Sequence, residues 1–278
     1  MKKILFLADA QKFNAGTLDF ASFLCRLQQS SLTGVFVEST GQDPHYAVLH
    51  QDIVYGGVMV GIETPVEQLK EERIRKNIAF FENSCINRGL AFETRSISAH
   101  ALEQVLLESR YADLILIDPA MCFDDISSTS PNTFVRKVLA QSECPAIIMP
   151  EHFTGLEEII FAFDGSPSSV FAIRQFTLNF PQLAGKPVSV VTANAAKLVT
   201  AEEKQKMQDW LERYYRHVSF HTIEGESRSG LLEYVLGREN AMVIMGAYGR
   251  GTLSSFFSSS HADRLARYAS KALFISHP

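Results

Sequence analysis

The chain has 278 residues, 46% hydrophobic and 21% charged, which is the balance of a globular protein with ample core material and a length suited to two domains of roughly 100–200 residues. Its net charge of −5, from 26 basic and 31 acidic residues, argues against nucleic acid as the main partner, because duplex binding shows a basic face. A nucleotide is still allowed, since backbone N–H groups can hold its phosphates without cations.

The chain opens with Met1-Lys2-Lys3 and an apolar run from Ile4 to Ala8. That run stops at Asp9, shorter than the usual core of a signal peptide, and no small-residue cleavage site follows. It is read as a first buried strand. No stretch reaches the roughly 20 apolar residues a bilayer requires, so the protein is expected in the cytoplasm and off the membrane. Further short apolar or β-branched runs follow at Thr33–Glu38, Ala91–Ile97, Asp113–Asp118 and Ala146–Met149, then at Glu158–Asp164, Val188–Ala193, Val218–Ile223, Met242–Gly246 and Ala272–Ser276. Such runs do not alternate, as parallel strands covered on both faces do not. Amphipathic stretches lie between them, among them Glu67–Arg88 and Ala201–His217. In the latter, Met207, Leu211, Tyr214 and Tyr215 share one face, and Thr200 stands as N-cap before a pair of acids. Strand and helix alternating through each half predict an α/β fold of two tandem, doubly wound, five-stranded parallel-sheet domains.

The halves also align with each other. Ile4–Asp9 lies over Ile159–Asp164 and Val35-Phe36-Val37 over Val190-Val191-Thr192, while Leu114–Ile117 lies over Met242–Met245 at a shorter offset. The change of offset places an insertion at about 40–64 in the first half. This stretch reads either as a functional segment or as a surface loop. The domains are therefore 1–150 and 151–278, with the boundary where Pro150–Gly155 interrupts the apolar pattern. The four cysteines (Cys25, Cys85, Cys122 and Cys144) show no CxxC spacing and read as free, mostly buried thiols. His217 and His221 are four apart but fall at the start of a predicted strand, so no metal is expected there. Asp124-Asp125 reads as a solvated acidic pair. The serines from Ser254 to Ser260 follow no G-x-S-x-G elbow, so no catalytic residue is assigned.

The fourth strand of the second half runs into Met245-Gly246-Ala247-Tyr248-Gly249-Arg250-Gly251, and Ser259-Ser260-His261 precedes another helical stretch. Glycines at the carboxyl end of a strand let a backbone turn sharply and approach a ligand. A helix starting near Ser260 would aim free N–H groups at an anion. Asp164 ends the first strand of that half and would look into the same crevice, where open α/β sheets bind ligands. The Walker and dinucleotide fingerprints are both absent.

Gly246-x2-Gly249-x9-Ser259-Ser260 resembles the G-x2-G-x9-G-[S/T] nucleotide motif of the universal stress protein family, as does the strand ending Phe163-Asp164-Gly165-Ser166. With the internal repeat, the chain is similar to a tandem member of that family. The resemblance implies a signalling module that binds an adenine nucleotide (ATP, ADP or AMP, with or without magnesium) and is non-catalytic or only slowly hydrolytic. It implies Asp164, Gly165 and Thr192 at the base and ribose, Met245 and Gly246 flanking the ribose, and Gly249, Arg250, Gly251, Ser259 and Ser260 around the phosphates, with His261 beside them. Ser259 stands where the family has its third glycine, and His261 where a small aliphatic residue is usual. In the first half Asp118 and Met121 replace the first two glycines, and added carboxylates there would repel phosphate. The halves are expected to pair as an intramolecular pseudo-dimer, with pairing between chains through Ala272–Ser276 as a further expectation. The competing reading is a scaffold with both sites degenerate and the 40–64 segment as a docking surface.

Overall fold

The computed structural model describes residues 2–38, 65–121, 133–193, 199–223, 227–246 and 271–278. In chain order the described elements are β1 (Lys3–Asp9), α1 (Thr17–Gln28), β2 (Ser31–Val37), α2 (Pro65–Asn87), β3 (Phe92–Ile97), α3 (Ala101–Ser109), β4 (Leu114–Ile117), α4 (Thr133–Gln141) and β5 (Ala146–Ile148). They continue with β6 (Glu158–Ala162), α5 (Pro167–Asn179), β7 (Val188–Ala193), α6 (Ala201–Leu211), β8 (Val218–Ile223), α7 (Ser227–Leu236), β9 (Ala241–Gly246) and β10 (Ala272–Ser276).

All ten strands belong to one sheet, in the order β3-β2-β1-β4-β5-β10-β9-β6-β7-β8. Every neighbouring pair is parallel except β5 and β10, which run antiparallel with Phe274 opposite Ile147. Each five-stranded half therefore has the same internal order, and the halves meet through their last strands. Both sides of β10 are occupied, by β5 and β9. The expectation that Ala272–Ser276 also pairs between chains is corrected here, because the in-chain pairing leaves it no free edge.

Both faces of the inner strands are covered, which is why they carry no polar alternation, whereas the edge strands β3 and β8 alternate partly buried and exposed residues. Ile4, Phe6 and Ala8 of β1 pack on one side with α1, α2, α5 and α6, while Leu5 and Leu7 pack on the other with α3, α4 and α7. On the first side Phe81 of α2 meets Phe6 and Phe36 with ring centroids 5.4 and 5.2 Å apart, close enough for favourable edge contacts. Gly34 makes this possible: a Cβ there would lie 2.8 Å from the Phe81 ring.

Local chemistry sets several element ends. Thr200 caps α6 by accepting from the Glu203 N–H at 3.2 Å, and the Glu203 carboxylate accepts in return from the Thr200 N–H at 2.8 Å. This helix stops at Leu211, six residues before the expected His217. The chain turns there, and Tyr215 folds under the helix against Phe161, its hydroxyl donating to Thr177 Oγ1 at 3.1 Å. Tyr214 stays 39% exposed, so the apolar periodicity continued past the helix that produced it. The connection between the halves is held by Asn240, whose carbonyl accepts from the Glu157 N–H at 2.8 Å and whose side chain accepts from Thr154 at 2.8 Å.

Candidate functional site

Strand order reverses beside β6 in the second half and beside β1 in the first, so each half has a switch point at the carboxyl ends of its central strands, where open α/β sheets form a ligand crevice. In the second half that crevice is bounded by β6, β9 and the start of α5. Beyond β6, Asp164 Oδ1 accepts from the Ser166 N–H at 2.9 Å, closing a tight turn. Gly165 takes the positive φ of 75° that this turn needs. Ser166 then caps α5 by accepting from the Ser169 N–H at 3.1 Å, and Pro167 fills the first helical position. The strand therefore ends at Ala162 rather than Asp164, because the aspartate is used to turn the chain.

Gly246 closes the opposite wall. A Cβ at this position would lie 2.6 and 2.7 Å from the carbonyl carbon and oxygen of Ser168. The missing side chain lets the first turn of α5 sit directly on the end of β9. Met245 is 1% exposed and packs in the core beside Ile275, so only its backbone borders the crevice. Thr192 is buried near the end of β7. The structure thus places Asp164, Gly165 and Gly246 about one crevice, with Thr192 one strand away. Gly249, Arg250, Gly251, Ser259, Ser260 and His261 lie outside the described residues.

In the first half the equivalent turn is present. Asp9 Oδ1 accepts from the Gln11 N–H at 2.7 Å, as Asp164 does from Ser166. Beyond that the halves diverge. Helix α5 begins three residues past its aspartate, whereas α1 begins eight past Asp9. The longer connection, Ala10–Gly16, folds on itself, with Asn14 Oδ1 accepting from the Gly16 N–H at 2.9 Å. Glu151 lies against it: a Cβ on Gly16 would come within 3.0 Å of the Glu151 carbonyl.

With the helix start set back there is room for a side chain where the second half needs glycine. Asp118 fills it with no solvent exposure, its N–H donating to Leu7 O at 2.9 Å and its Oδ1 accepting from the Ala120 N–H at 2.9 Å. Burial raises the Asp118 carboxyl from its ordinary 3.8 to about 7, against the pull of the Ala120 and Asn14 N–H groups and with help from the Glu151 and Asp9 charges. Met121, in the place of the second glycine, is buried in the core. The sequence marked Asp118 as an intruding charge. Its complete burial depends on the longer connection before α1, which no spacing in the sequence pointed to.

Cys25, Cys85 and Cys144 are free, and burial raises them to about 11, 12 and 12, away from the reactive thiolate form. Cys122 lies outside the described residues. His221 sits within β8 and contacts Ser219, and the described residues contain no group of three metal-ligating side chains. No described helix is long and apolar enough to cross a membrane.

Residues 155–277 match the model of the universal stress protein family. No curated protein matches the sequence. Among solved structures, a universal stress protein from Archaeoglobus fulgidus DSM 4304 superposes with a TM-score of 0.64 at 13% identity, covering 99% of this chain and 96% of its own. A functionally unknown protein from Pseudomonas aeruginosa PAO1 gives 0.56 at 12% identity, covering 100% and 93%. These likenesses establish the fold along the whole chain, while the family match covers the second half.

Proposed function

We propose that the chain is a nucleotide-responsive stress-signalling module built of two tandem domains, 1–150 and 151–278, with an insertion at about 40–64 in the first. The second domain binds ATP, ADP or AMP, with magnesium accompanying the phosphates where they are present. The observation that carries this reading is the coincidence of two things in residues 155–277. That segment matches the family, and it holds a switch point of the sheet at which Asp164 is locked by its own turn and Gly246 brings the backbone of β9 against α5. A fixed carboxylate suits the ribose hydroxyls, and bare backbone at a strand end suits phosphate. Arg250, Ser259 and Ser260 would complete the phosphate contacts, with His261 at their edge.

The proposed module is non-catalytic or only slowly hydrolytic. The test is to denature the purified protein, identify any released nucleotide by mass spectrometry, and titrate the stripped protein with ATP, ADP and AMP by calorimetry. The expected result is saturable binding near one per chain that is lost in Gly249→Arg, with about 2.7 kcal/mol of added stability at roughly 100 times the dissociation constant. No released nucleotide, and no heat or stabilisation at millimolar nucleotide, would overturn it and favour the scaffold reading.

A further inference from the structure

Helix α5 joins two places that lie in different halves of the molecule. Its first turn walls the second-half switch point: Ser166 caps the helix and donates its N–H to Asp164, and Ser168 lies against Gly246. Its last turn is held by the first half. The Asn179 carbonyl accepts from Lys2 Nζ at 3.2 Å and from Gln28 Nε2 at 3.0 Å, so first-half donors fill its two lone pairs. Lys2 also reaches Asn179 Oδ1 at 3.4 Å, and its ammonium stands at the negative end of the helix dipole. Helix α1 ends without help from the other half: the Gln29 and Ser30 N–H groups serve the carbonyls of Arg26 and Cys25 just before them.

Little slack separates the two ends of α5. Its 13 residues make a rod of about 20 Å, at about 1.5 Å per residue. Ala172, Ile173 and Phe176 bury one stripe of it against the sheet. At its start, a Cβ on Gly246 would lie 2.6 Å from the Ser168 carbonyl carbon, so the first turn already touches β9. A close-packed interior transmits a displacement instead of absorbing it. A shift of Asn179 along the helix axis therefore moves Ser166 and, through its N–H, the Asp164 turn. Gln28 shows that the clamp is not built for stability alone. Its Oε1 is buried with no hydrogen-bond partner among the described residues, a cost that an apolar side chain avoids.

We infer, resting on the nucleotide reading proposed above, that Lys2 and Gln28 are positioning residues for the second-half site, whose affinity the first half sets through α5. The half in which Asp118 and Met121 replace the glycines thus acts on nucleotide without touching it.

The test is calorimetric titration of the full chain with ATP, beside urea denaturation and amide hydrogen exchange of the unliganded protein. Lys2→Met and Gln28→Met should each weaken binding about twofold and together about fivefold, at unchanged stoichiometry and with the denaturation midpoint nearly unmoved. Exchange should quicken at Ser166, Ser169 and Val170, whose N–H groups hold the far end of the helix. Lys2→Arg keeps a donor for Asn179 and should bind as the wild type does, as should Lys76→Met, which changes an exposed lysine on α2. If the double variant does not fold, the single variants decide the matter. Unchanged affinity in the folded variants, with the wild type binding, overturns the inference and leaves the nucleotide site standing. Affinity lost only in step with a lower midpoint overturns it as well, because the clamp would then serve stability alone. A wild-type chain that binds no nucleotide overturns the nucleotide reading and this inference with it.

Discussion

The two crevices share strand order and the aspartate turn after the central strand, yet a single connection makes them chemically opposite. In the second half, a helix that starts three residues after Asp164 presses on β9 so closely that only glycine fits at 246. In the first, five further residues precede the helix, and a buried aspartate takes the space. Backbone meets backbone where the helix comes close, and a carboxyl group enters where it stands back. The side chain that a strand end can carry is decided here by where a neighbouring helix begins.

The largest effect should come from forcing the second half toward the first. Gly246→Ala places a Cβ 2.6 Å from the Ser168 carbonyl carbon, and a backbone atom in a capped helix cannot step aside as a side chain would. The expected cost is about 3 kcal/mol, at the upper end for overpacking. Urea denaturation would measure it as a lower midpoint at unchanged slope. A change within error of wild type would mean that α5 can slide on the sheet, and the argument from helix position would fail.

The next effect lies in pH. The Asp118 carboxyl is held at about 7 in the folded chain against 3.8 unfolded, so the folded state binds a proton that the unfolded state releases. Its neutral form is the one the fold tolerates. Stability contributed here is therefore greatest near pH 4, falls as pH rises toward about 7, and levels off above. A loss of about 3 kcal/mol between pH 4.5 and 8 follows by linkage. Asp118→Asn, which cannot ionise, should remove that part of the slope, as thermal unfolding between pH 4.5 and 8 would show. A parallel slope in the variant would assign the pH dependence to other groups.

Much of this architecture was legible in the residues. Ten short apolar or β-branched runs matched ten strands to within two or three residues, because burial on both faces of the inner strands leaves an unbroken apolar pattern, while the edge strands β3 and β8 keep an alternation. The capping box at Thr200 was equally plain. The errors arose where tertiary packing overrode periodicity. Tyr214 and Tyr215 kept a helical spacing beyond Leu211, although Tyr215 is buried from a turn. Asp164 extended an apolar strand on paper and ends it in space. The free edge assigned to Ala272–Ser276 required knowing that β5 lies beside it, and strand order is not written in hydrophobicity. Gly246 was marked for ligand approach, and its structural role against Ser168 is a second demand on the same residue.

The smallest change in stability should separate the halves most cleanly in function. Asp9 and Asp164 each accept one backbone N–H, at 2.7 and 2.9 Å, and an asparagine side-chain oxygen can accept the same bond. Asp9→Asn and Asp164→Asn should therefore each shift stability by less than about 0.5 kcal/mol. The two aspartates lie in different halves, however. On the proposed reading Asp164→Asn should weaken nucleotide binding several fold, whereas Asp9→Asn should leave it unchanged. Calorimetry of both variants with ATP gives the two affinities. If Asp9→Asn lowers the affinity as well, the sheet couples the two switch points, and the two are not independent.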